Sequence, residues 1–520
     1  MTALLHESCL GSKRHSQDVA VAVASSSGAD QLSYQELFEI AGSLARDLDR
    51  HGVRPGNRLA LDLPNGIAFV CALFGGLITG ASVAALDPSL KASGLEQHMA
   101  TLAPAAVITS VSRARRFRGI PAEAQVFVLE RRGAQRFELV PLVPDQSRRA
   151  HERSPHALQA VEPPPTTPES DCLLIATSGS TSGPKFVRLS HRAALANAKM
   201  HIQSLRLSAP PRSLQILPVN YSYGLVASLI GTLSSEGTVV FAEQIDIPSI
   251  CSAVALRADL CHSTPPFLRF LFENASSEQL DLIRRLRRIT IGGDACPLPL
   301  RRRIAETLPD SLAYITYGLT EAGPRVATLA PDLFLEQGDS VGLALQGVEL
   351  RVMRDGVPCA AGTAGNLEIR SPSLMSGYLG DVGGPNAEMV VDGWLRTSEI
   401  ASVDAHGFLR ILGRGDRQVK FRGRRLNPAT VEACLTRHPS IVAARVRPGR
   451  VGDVERLTAQ VYYRAAAEDV ARLESELRLQ CRRELPAYLV PDEIDLQPSP
   501  DYFLKDSFLT IRQDGANNAS

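Results

Sequence analysis

The stretch from Cys172 to Lys185 constrains the fold of this chain most strongly. Its first residues, Cys172-Leu-Leu-Ile-Ala176, form an apolar run that is typical of a buried strand. A turn of hydroxyl residues, two glycines, a proline and a lysine follows at once. Short hydroxyls, glycine backbone N–H groups and a lysine ammonium suit an anion such as phosphate. The predicted phosphate-binding residues of this turn are Thr177, Ser178, Gly179, Ser180, Thr181, Gly183 and Lys185.

The order of residues in this turn is not that of a P-loop NTPase. Pro184 stands where a second glycine should precede the lysine, and Phe186, not Ser or Thr, follows it. A turn of this composition is also common in flexible loops, so the decision depends on motifs elsewhere in the chain.

Length and charge set broad limits on the function. A chain of 520 residues exceeds one ordinary core and predicts at least two domains. Lys and Arg number 56 against 55 Asp and Glu, so no net field attracts nucleic acid or an anionic membrane. The arginine clusters at 113–118 and 284–288 are interpreted as solvated helix faces.

One uncharged segment, Gly66 to Leu86, is long enough to span a membrane. Its three glycines and the Asp87-Pro88 that follows favour a buried helix, a turn and a buried strand, so we expect no integral membrane segment. The nine cysteines include no CxxC pair, which indicates a reducing, cytoplasmic location.

The pattern of elements predicts an α/β fold. Short apolar strands such as Arg58–Leu63 and Gln215–Pro218 alternate with amphipathic helices up to about residue 342. Residues 342–412 predict a small β-rich subdomain, and 416–520 predict a mobile α+β C-terminal domain. The N-terminal domain is therefore predicted to cover 1–415.

Four further motifs follow the phosphate turn along the chain. They are Ile291-Gly-Gly-Asp294, Tyr317-Gly-Leu-Thr-Glu321, Trp394-Leu-Arg-Thr-Ser-Glu399 and Gly413-Arg-Gly-Asp-Arg-Gln-Val-Lys420. Together with the turn at 177–185 they resemble, in content and order, the motifs of the adenylate-forming (AMP-binding) superfamily of acyl- and aryl-CoA ligases and stand-alone adenylation domains. The resemblance covers roughly residues 30 to 510 and is weakest at the two ends.

The resemblance implies ATP and Mg²⁺ as cofactors and assigns roles to single residues. Thr320 would touch the phosphate and Glu321 would hold Mg²⁺, while Glu399 would accept the ribose hydroxyls. Asp416 would be the hinge between the domains. Lys505 would be the catalytic lysine of adenylation together with Lys185. The remaining nucleotide-binding positions implied by the motifs are Gly293, Asp294, Tyr317, Gly318 and Arg414.

The chain departs from the family pattern at several positions. Phe186 replaces a glycine after the phosphate turn, and Glu399 stands where Asp is usual. Leu504 replaces the glycine before the terminal lysine, which makes Lys505 a lysine in a degenerate motif. Lysine is nevertheless rare in this chain, and three of its six lysines (185, 420 and 505) occupy positions where the family places one.

The substrate is predicted to be a small carboxylic acid without an α-amino group. Residues 218–235, where amino-acid-activating relatives carry an Asp for the ammonium, contain no acidic residue, and a buried ammonium without a partner is costly. Tyr221, Tyr223 and Gly293 are the predicted substrate contacts.

Three functions remain open at this point. The first is an acid–thiol ligase that transfers the acyl group to CoA or to the phosphopantetheine arm of a carrier protein. The second forms the same adenylate but transfers to an amine or another nitrogen nucleophile. The third is a homologue that binds nucleotide or acyl ligand without turnover, and the presence of Lys185, Glu321, Arg414 and Lys505 argues against it.

Overall fold

The computed structural model describes most of the chain. The described residues are 3–25, 28–117, 124–133, 136–142, 165–177, 184–380, 389–414, 419–421, 424–426, 428–451, 454–463 and 470–498. Within these ranges no helix is long and apolar enough to cross a membrane. The uncharged segment at 66–86 is instead the buried helix Ile67–Ile78, a glycine turn and the strand Ser82–Ala85, as predicted.

Most of the molecule is built from two large sheets with helices between and around them. Its elements, in chain order, are β1 (Val19–Ser25), β2 (Gly28–Ser33), α1 (Tyr34–Arg50), β3 (Arg58–Asp62), α2 (Ile67–Ile78), β4 (Ser82–Ala85), α3 (Ala92–Leu102), β5 (Ala106–Thr109), β6 (Gln125–Arg131), β7 (Phe137–Pro141), β8 (Asp171–Thr177), β9 (Lys185–Ser190), α4 (His191–Ser204), β10 (Arg212–Gln215), α5 (Gly231–Ser234), β11 (Thr238–Ala242), α6 (Ile247–Ala255), β12 (Leu260–Ser263), α7 (Pro265–Asn274), α8 (Ser277–Ile283), β13 (Arg288–Ile291), α9 (Leu298–Thr307), β14 (Leu312–Tyr317), β15 (Ala327–Leu329) and β16 (Leu343–Ala344).

The remaining described elements form a third sheet and a C-terminal unit, apart from the strand Gly377–Tyr378, which is an edge strand of the second large sheet. Their elements are β17 (Glu349–Arg354), β18 (Val357–Pro358), β19 (Gly365–Arg370), β20 (Gly377–Tyr378), β21 (Val390–Val391), β22 (Trp394–Val403), β23 (Leu409–Arg414), β24 (Val419–Phe421), β25 (Arg424–Leu426), α10 (Pro428–Thr436), β26 (Ile441–Val451), β27 (Val454–Tyr463), α11 (Val470–Glu484) and β28 (Glu493–Pro498). Two π-helical segments, Glu7–Gly11 and Tyr223–Ile230, and short 3₁₀ turns such as Thr320–Ala322 lie between them.

The first large sheet has nine strands in the order β16-β15-β14-β13-β12-β10-β11-β1-β2. Its centre, from β14 to β1, is parallel, so β13 and β14 end at the same edge. Polar loops at the carboxyl edge of a parallel sheet are common ligand sites. Here that edge carries Gly292–Gly293 and Gly318.

The second large sheet has eight strands in the order β20-β9-β8-β4-β3-β5-β6-β7. Its parallel strands are buried on both faces, which explains the continuous apolar runs in the sequence. The amphipathic helix α1 packs beside it and begins with a capping box, in which Ser33 and Glu36 exchange hydrogen bonds. The α/β fold class is therefore confirmed.

Two local predictions were wrong. The strand expected at Gln215–Pro218 is β10, which ends at Gln215, because the Gln215 amide donates to the Leu217 carbonyl (2.7 Å) and the chain leaves the sheet there. The cluster at 113–118 is not simply a solvated face, because Arg113 (3.0 Å) and Arg116 (2.6 Å) both bind the buried Asp62 carboxylate.

The C-terminal unit has a hydrophobic core of its own. Its buried side chains, from Phe421 to Ile494, cover one face of the sheet β26-β27-β28 together with α10 and α11. A separate core is what an independent domain requires. The predicted boundary at Asp416 falls in 415–418, outside the described residues, and stays a prediction.

Candidate active site

The predicted phosphate turn joins two antiparallel strands of the second large sheet. Thr177 ends β8 and Lys185 begins β9, and the two residues are paired across the hairpin. The Thr177 hydroxyl donates to the Lys185 carbonyl at 3.5 Å. Phe186, the bulky replacement for a glycine, is fully buried in β9, so its ring points into the core and not into the turn.

Several predicted site residues lie outside the described residues. They are Ser178, Gly179, Ser180, Thr181 and Gly183 of the turn, the hinge residue Asp416 and the terminal Lys505. Their roles stay predictions.

Lys185 and Glu321 meet at one tyrosine that the sequence did not single out. The Tyr378 hydroxyl donates to Glu321 Oε1 at 2.7 Å, and Lys185 Nζ lies 5.5 Å from the centre of the Tyr378 ring. Tyr378 belongs to β20, which pairs with β9. The hairpin and the Glu321 turn, far apart in sequence, therefore face each other across this ring.

Thr320 links the same turn to the segment predicted to contact the substrate. Its hydroxyl lies 2.9 Å from the Ser222 hydroxyl, between Tyr221 and Tyr223. The Tyr221 hydroxyl donates to Asp87 at 3.4 Å. Burial, with the Asp87 charge added, raises the pKa of Tyr221 to about 12. The segment thus meets an acidic residue that comes from a different part of the chain.

Close packing requires glycines at the edge where β13 and β14 end. A Cβ on Gly318 would lie 1.7 Å from the Pro324 carbonyl oxygen, and one on Gly292 would lie 2.6 Å from Thr316 Oγ1. Gly293 adopts a φ of 84°, which favours glycine. Asp294 is exposed beside it and accepts a hydrogen bond from the Ala295 N–H at 2.7 Å. Gly293 is exposed and a Cβ there would meet only Thr264 Cγ2, at 3.5 Å, so a flat ligand can approach the backbone at this residue.

Tyr317 brings this edge together with the third sheet. Burial raises its pKa well above the usual range, the Glu399 carboxylate raises it further, and Arg414 opposes the shift. Glu399 and Arg414 are cross-strand partners on β22 and β23. Within the described part of the chain the buried Tyr317 hydroxyl has no hydrogen-bond partner.

Tyr223 lies in a buried polar cluster. Its hydroxyl is 2.7 Å from the Thr290 hydroxyl, which is 2.9 Å from His262 Nδ1. The Arg325 guanidinium stacks on the Tyr223 ring, 3.4 Å from its centre. Of the predicted substrate residues, Tyr223 therefore contacts Arg325, and Gly293 follows Gly292, against which Arg325 Nη1 packs.

The residues present fit a nucleotide with Mg²⁺. Among the described residues no three His, Cys, Asp or Glu side chains cluster as a metal cage. Mg²⁺ commonly binds one or two carboxylates and takes its other ligands from phosphates and water. Glu321 suits that role, because within the described ranges the only hydrogen bond to its carboxylate comes from Tyr378.

Comparison with known proteins decides the family. The sequence profile described as "AMP-binding enzyme" matches residues 11–379. The chain belongs to this family. It activates a carboxylic acid as an acyl-adenylate.

Relatives and solved structures agree with this assignment. Feruloyl-CoA synthase from Amycolatopsis sp is 28% identical over 478 residues, which cover 90% of each chain. The o-succinylbenzoate CoA synthetase (MenE) of Bacillus subtilis, solved with its acyl-adenylate, shares the fold at 21% identity and a TM-score of 0.77, over 96% of this chain and 95% of that one. The amide bond synthetase McbA from Marinactinospora thermotolerans is 25% identical, with a TM-score of 0.78 and 95% coverage of each chain.

The sequence missed several residues that the geometry brings into the site, namely Asp87, Ser222, Thr290, Arg325 and Tyr378. One of them carried a signal. Arg325 is the only charged residue in 322–331, an otherwise apolar or small stretch directly after Glu321. A lone charge in a buried segment indicates a functional position. The others are common residue types in unremarkable contexts.

Proposed function

We propose that this protein converts a non-amino carboxylic acid into its CoA thioester, with the reactive groups of the acid and of ATP meeting between Lys185, Thr320 and Glu321. The observation that carries the proposal is the Lys185–Tyr378–Glu321 contact, which places a cation and a carboxylate together beside the predicted phosphate turn.

In the first half-reaction an oxygen of the substrate carboxylate attacks the α-phosphorus of ATP. The bond from that phosphorus to the bridging oxygen breaks, and pyrophosphate leaves with the electron pair. Negative charge grows on the phosphoryl oxygens, and positioned cations and donors stabilise it. Glu321 would hold Mg²⁺, and Lys185, Thr177, Thr320 and the turn at 178–183 would bind the phosphates.

The nucleoside would lie across the glycine edge. Tyr317 would stack on adenine above Gly293 and Gly318, with Asp294 beside them. Glu399 would accept hydrogen bonds from the ribose, and its cross-strand partner Arg414 would hold it in position.

In the second half-reaction the thiolate of CoA attacks the acyl carbonyl and AMP leaves. Lys505 would act only in adenylation, because rotation of the C-terminal domain about Asp416 would replace it at the site before the thiol enters. The carrier-protein phosphopantetheine arm presents the same thiol and is the alternative acceptor of this class.

A nitrogen nucleophile is a second candidate acceptor, supported by the similarity to an amide bond synthetase. The cytoplasm is the proposed location, because all nine cysteines are free thiols, as expected in a reducing compartment.

The experiment that tests the proposal supplies ATP and Mg²⁺ with a panel of acids and measures pyrophosphate release. Mass spectrometry of products formed with CoA, with a phosphopantetheinylated carrier or with amines then identifies the acceptor. We expect acid-dependent release and an acyl-CoA product. An amide as the main product would move the protein to the second candidate, and no release with any acid would contradict adenylation.

A further inference from the structure

The buried polar cluster around Tyr223 contains a cation that the fold does not neutralise. Arg325 is 2% exposed. Its Nε and Nη2 atoms have no hydrogen-bond partner among the described residues. Those residues also offer it no carboxylate within ion-pairing distance, and its closest aromatic neighbour is the Tyr223 ring, a neutral phenol whose pKa burial raises.

The backbone fixes where this cation lies. Asn197, fully buried on α4, accepts a hydrogen bond from the Arg325 N–H (3.0 Å) and donates one to the Arg325 carbonyl (2.8 Å). The next residue, Val326, donates to the Tyr317 carbonyl at 2.9 Å. Arg325 is therefore held beside the end of β14, and the position of its guanidinium is not an accident of a mobile loop.

The guanidinium lies beside residues predicted to contact the substrate. Its Nη1 atom packs against Gly292, because a Cβ on that glycine would lie only 3.2 Å away. The flat face of the guanidinium covers the Tyr223 ring at 3.4 Å. Stacking of this kind orients a guanidinium and leaves its N–H edge available for hydrogen bonds.

The neighbouring imidazoles of His201 and His262 neither neutralise the Arg325 charge nor add a second positive charge. His201 Nε2 lies 3.4 Å from His262 Nδ1. Burial lowers the pKa of His262 to about 3 and that of His201 well below its usual range, so both are neutral at pH 7. His201 Nδ1 and His262 Nε2 are also buried without partners in the described part of the chain. The cluster is thus a buried polar group of side chains with one positive charge.

A buried cation without a counter-ion is strongly disfavoured, and burial lowers the pKa of Arg325 only to about 10. The guanidinium therefore keeps its charge at pH 7. A hydroxyl or ketone of a ligand would accept a hydrogen bond but would leave the positive charge uncompensated. A carboxylate would accept hydrogen bonds and also neutralise the charge, and a guanidinium can bind it through two parallel hydrogen bonds.

From this geometry we infer that Arg325 is a specificity-determining residue and that the preferred substrate carries a second carboxylate, at the end remote from the activated one. This inference rests on the proposed function and deepens it. The activated carboxylate must meet the phosphates near Thr320 and Glu321, and the second would bind Arg325 beside Tyr223.

The test uses pairs of acids that differ only in a remote carboxylate or methyl group: succinic and butyric, adipic and hexanoic, terephthalic and p-toluic acid. Pyrophosphate release is measured for the wild type and two variants. Arg325→Met keeps the approximate length of the side chain and removes its charge. Arg325→Lys keeps the charge and removes the paired N–H donors of the guanidinium. Thermal unfolding with each acid and without ATP gives a readout independent of catalysis.

We expect the wild type to favour the dicarboxylic member of at least one pair by about 100-fold in kcat/KM. Arg325→Met should lose about that factor on this acid and should gain activity on the methyl partner, while Arg325→Lys should lie between them. The dicarboxylic acid should raise the unfolding temperature of the wild type and not that of Arg325→Met.

Two results would overturn the inference and leave the proposed function intact. One is a wild type that releases pyrophosphate and forms thioester best with the methyl member of every pair. The other is an Arg325→Met variant that loses the same factor on both members of a pair, which indicates a structural role. Absence of pyrophosphate release with every acid would instead remove the proposed function and, with it, this inference.

Discussion

Two buried arginines of this protein differ in whether the fold supplies hydrogen-bond acceptors for the guanidinium, and this difference separates a structural charge from a functional one. Arg301 on α9 is 3% exposed and Arg325 is 2% exposed. Arg301 donates to four backbone carbonyls at 2.8 to 3.2 Å, those of Cys296, Phe334, Gln337 and Ser340. Arg325 has two buried nitrogens that find no acceptor in the described ranges.

This difference in hydrogen bonding shows how each arginine affects the stability of the fold. A buried polar group that the fold satisfies stabilises the fold, whereas one left unsatisfied costs stability until a ligand satisfies it. The Tyr317 hydroxyl is another unsatisfied group in the described part of the chain, and it also lies in the site. Ser213 Oγ, Thr232 Oγ1 and Arg288 Nε are unsatisfied elsewhere in the described ranges, so an unsatisfied group points to the site only together with its position beside the sequence motifs.

The largest effect is expected at Glu321, whose carboxylate is reserved for Mg²⁺ in this account. Glu321→Ala should lower pyrophosphate release about 1000-fold, because phosphoryl charge is no longer neutralised. Its unfolding temperature should change little, since the fold loses only the hydrogen bond from Tyr378. Steady-state kinetics and thermal unfolding measure the two quantities.

The exposed Glu336 offers a matched control, and Glu336→Ala should behave as wild type in both assays. Near-normal pyrophosphate release from Glu321→Ala would show that its carboxylate is structural, as the guanidinium of Arg301 is.

The next effect concerns Lys505, a cation predicted to serve one half-reaction only. Lys505→Ala should lower adenylation about 100-fold, because a compact charge between the carboxylate and the phosphate is lost. Transfer of the acyl group from a supplied acyl-adenylate to CoA should proceed at the wild-type rate. Single-turnover assays of each half-reaction measure this, with the exposed Lys91→Ala as the control.

If Lys505→Ala adenylates as fast as the wild type, the degenerate terminal motif has lost its function. An equal loss in both half-reactions would indicate instead that the C-terminal domain is perturbed.

A direct comparison of the two arginines gives the third effect. Arg301→Met should lower the free energy of unfolding by about 3 kcal/mol, since four backbone carbonyls lose their hydrogen-bond donor. Arg325→Met should leave it unchanged or raise it, because it replaces an unpaired buried charge by an apolar chain of similar length. Urea unfolding of both variants measures the difference.

Equal destabilisation by the two substitutions would mean that Arg325 is satisfied in the folded protein, and the contrast between the two arginines would be lost.

The smallest effect is a pH dependence of the free energy of unfolding, caused by His262, a neighbour of Arg325. His262 faces Arg325, His201, Tyr223 and Thr290, and its pKa is lowered to about 3. Below its unfolded pKa of about 6.5, the unfolded chain binds a proton that the folded protein does not, so stability falls as pH falls. From pH 7 to pH 5 the loss from His262 is on the order of 2 kcal/mol.

His262→Gln should show a shallower fall in unfolding free energy over the same pH range than the wild type. Identical slopes for the two proteins would contradict a neutral, buried His262.

The sequence predicted those parts of the molecule that depend on local patterns. The apolar run at 172–176 located β8, and the glycines of the uncharged segment 66–86 separated α2 from β4. The motif order indicated the family because each motif is read from adjacent residues.

Contacts between distant residues could not be predicted from one sequence. The Tyr378–Glu321 hydrogen bond spans 57 residues, and the Asp62–Arg113 pair spans 51. Nothing in a local pattern tells which of 50 arginines meets a buried carboxylate, or that Arg325 stacks on Tyr223 and meets none. The topology of the two large sheets determines those pairings.

The most direct test of the central claim follows an oxygen atom. The acid that is the best substrate is labelled with heavy oxygen in its carboxylate and incubated with the protein, ATP, Mg²⁺ and CoA, and the nucleotide product is analysed by mass spectrometry. Because the carboxylate oxygen attacks the α-phosphorus and stays there when the thiol displaces AMP, we expect one labelled oxygen in each AMP formed. Unlabelled AMP, or ADP with label in inorganic phosphate, would contradict an acyl-adenylate mechanism.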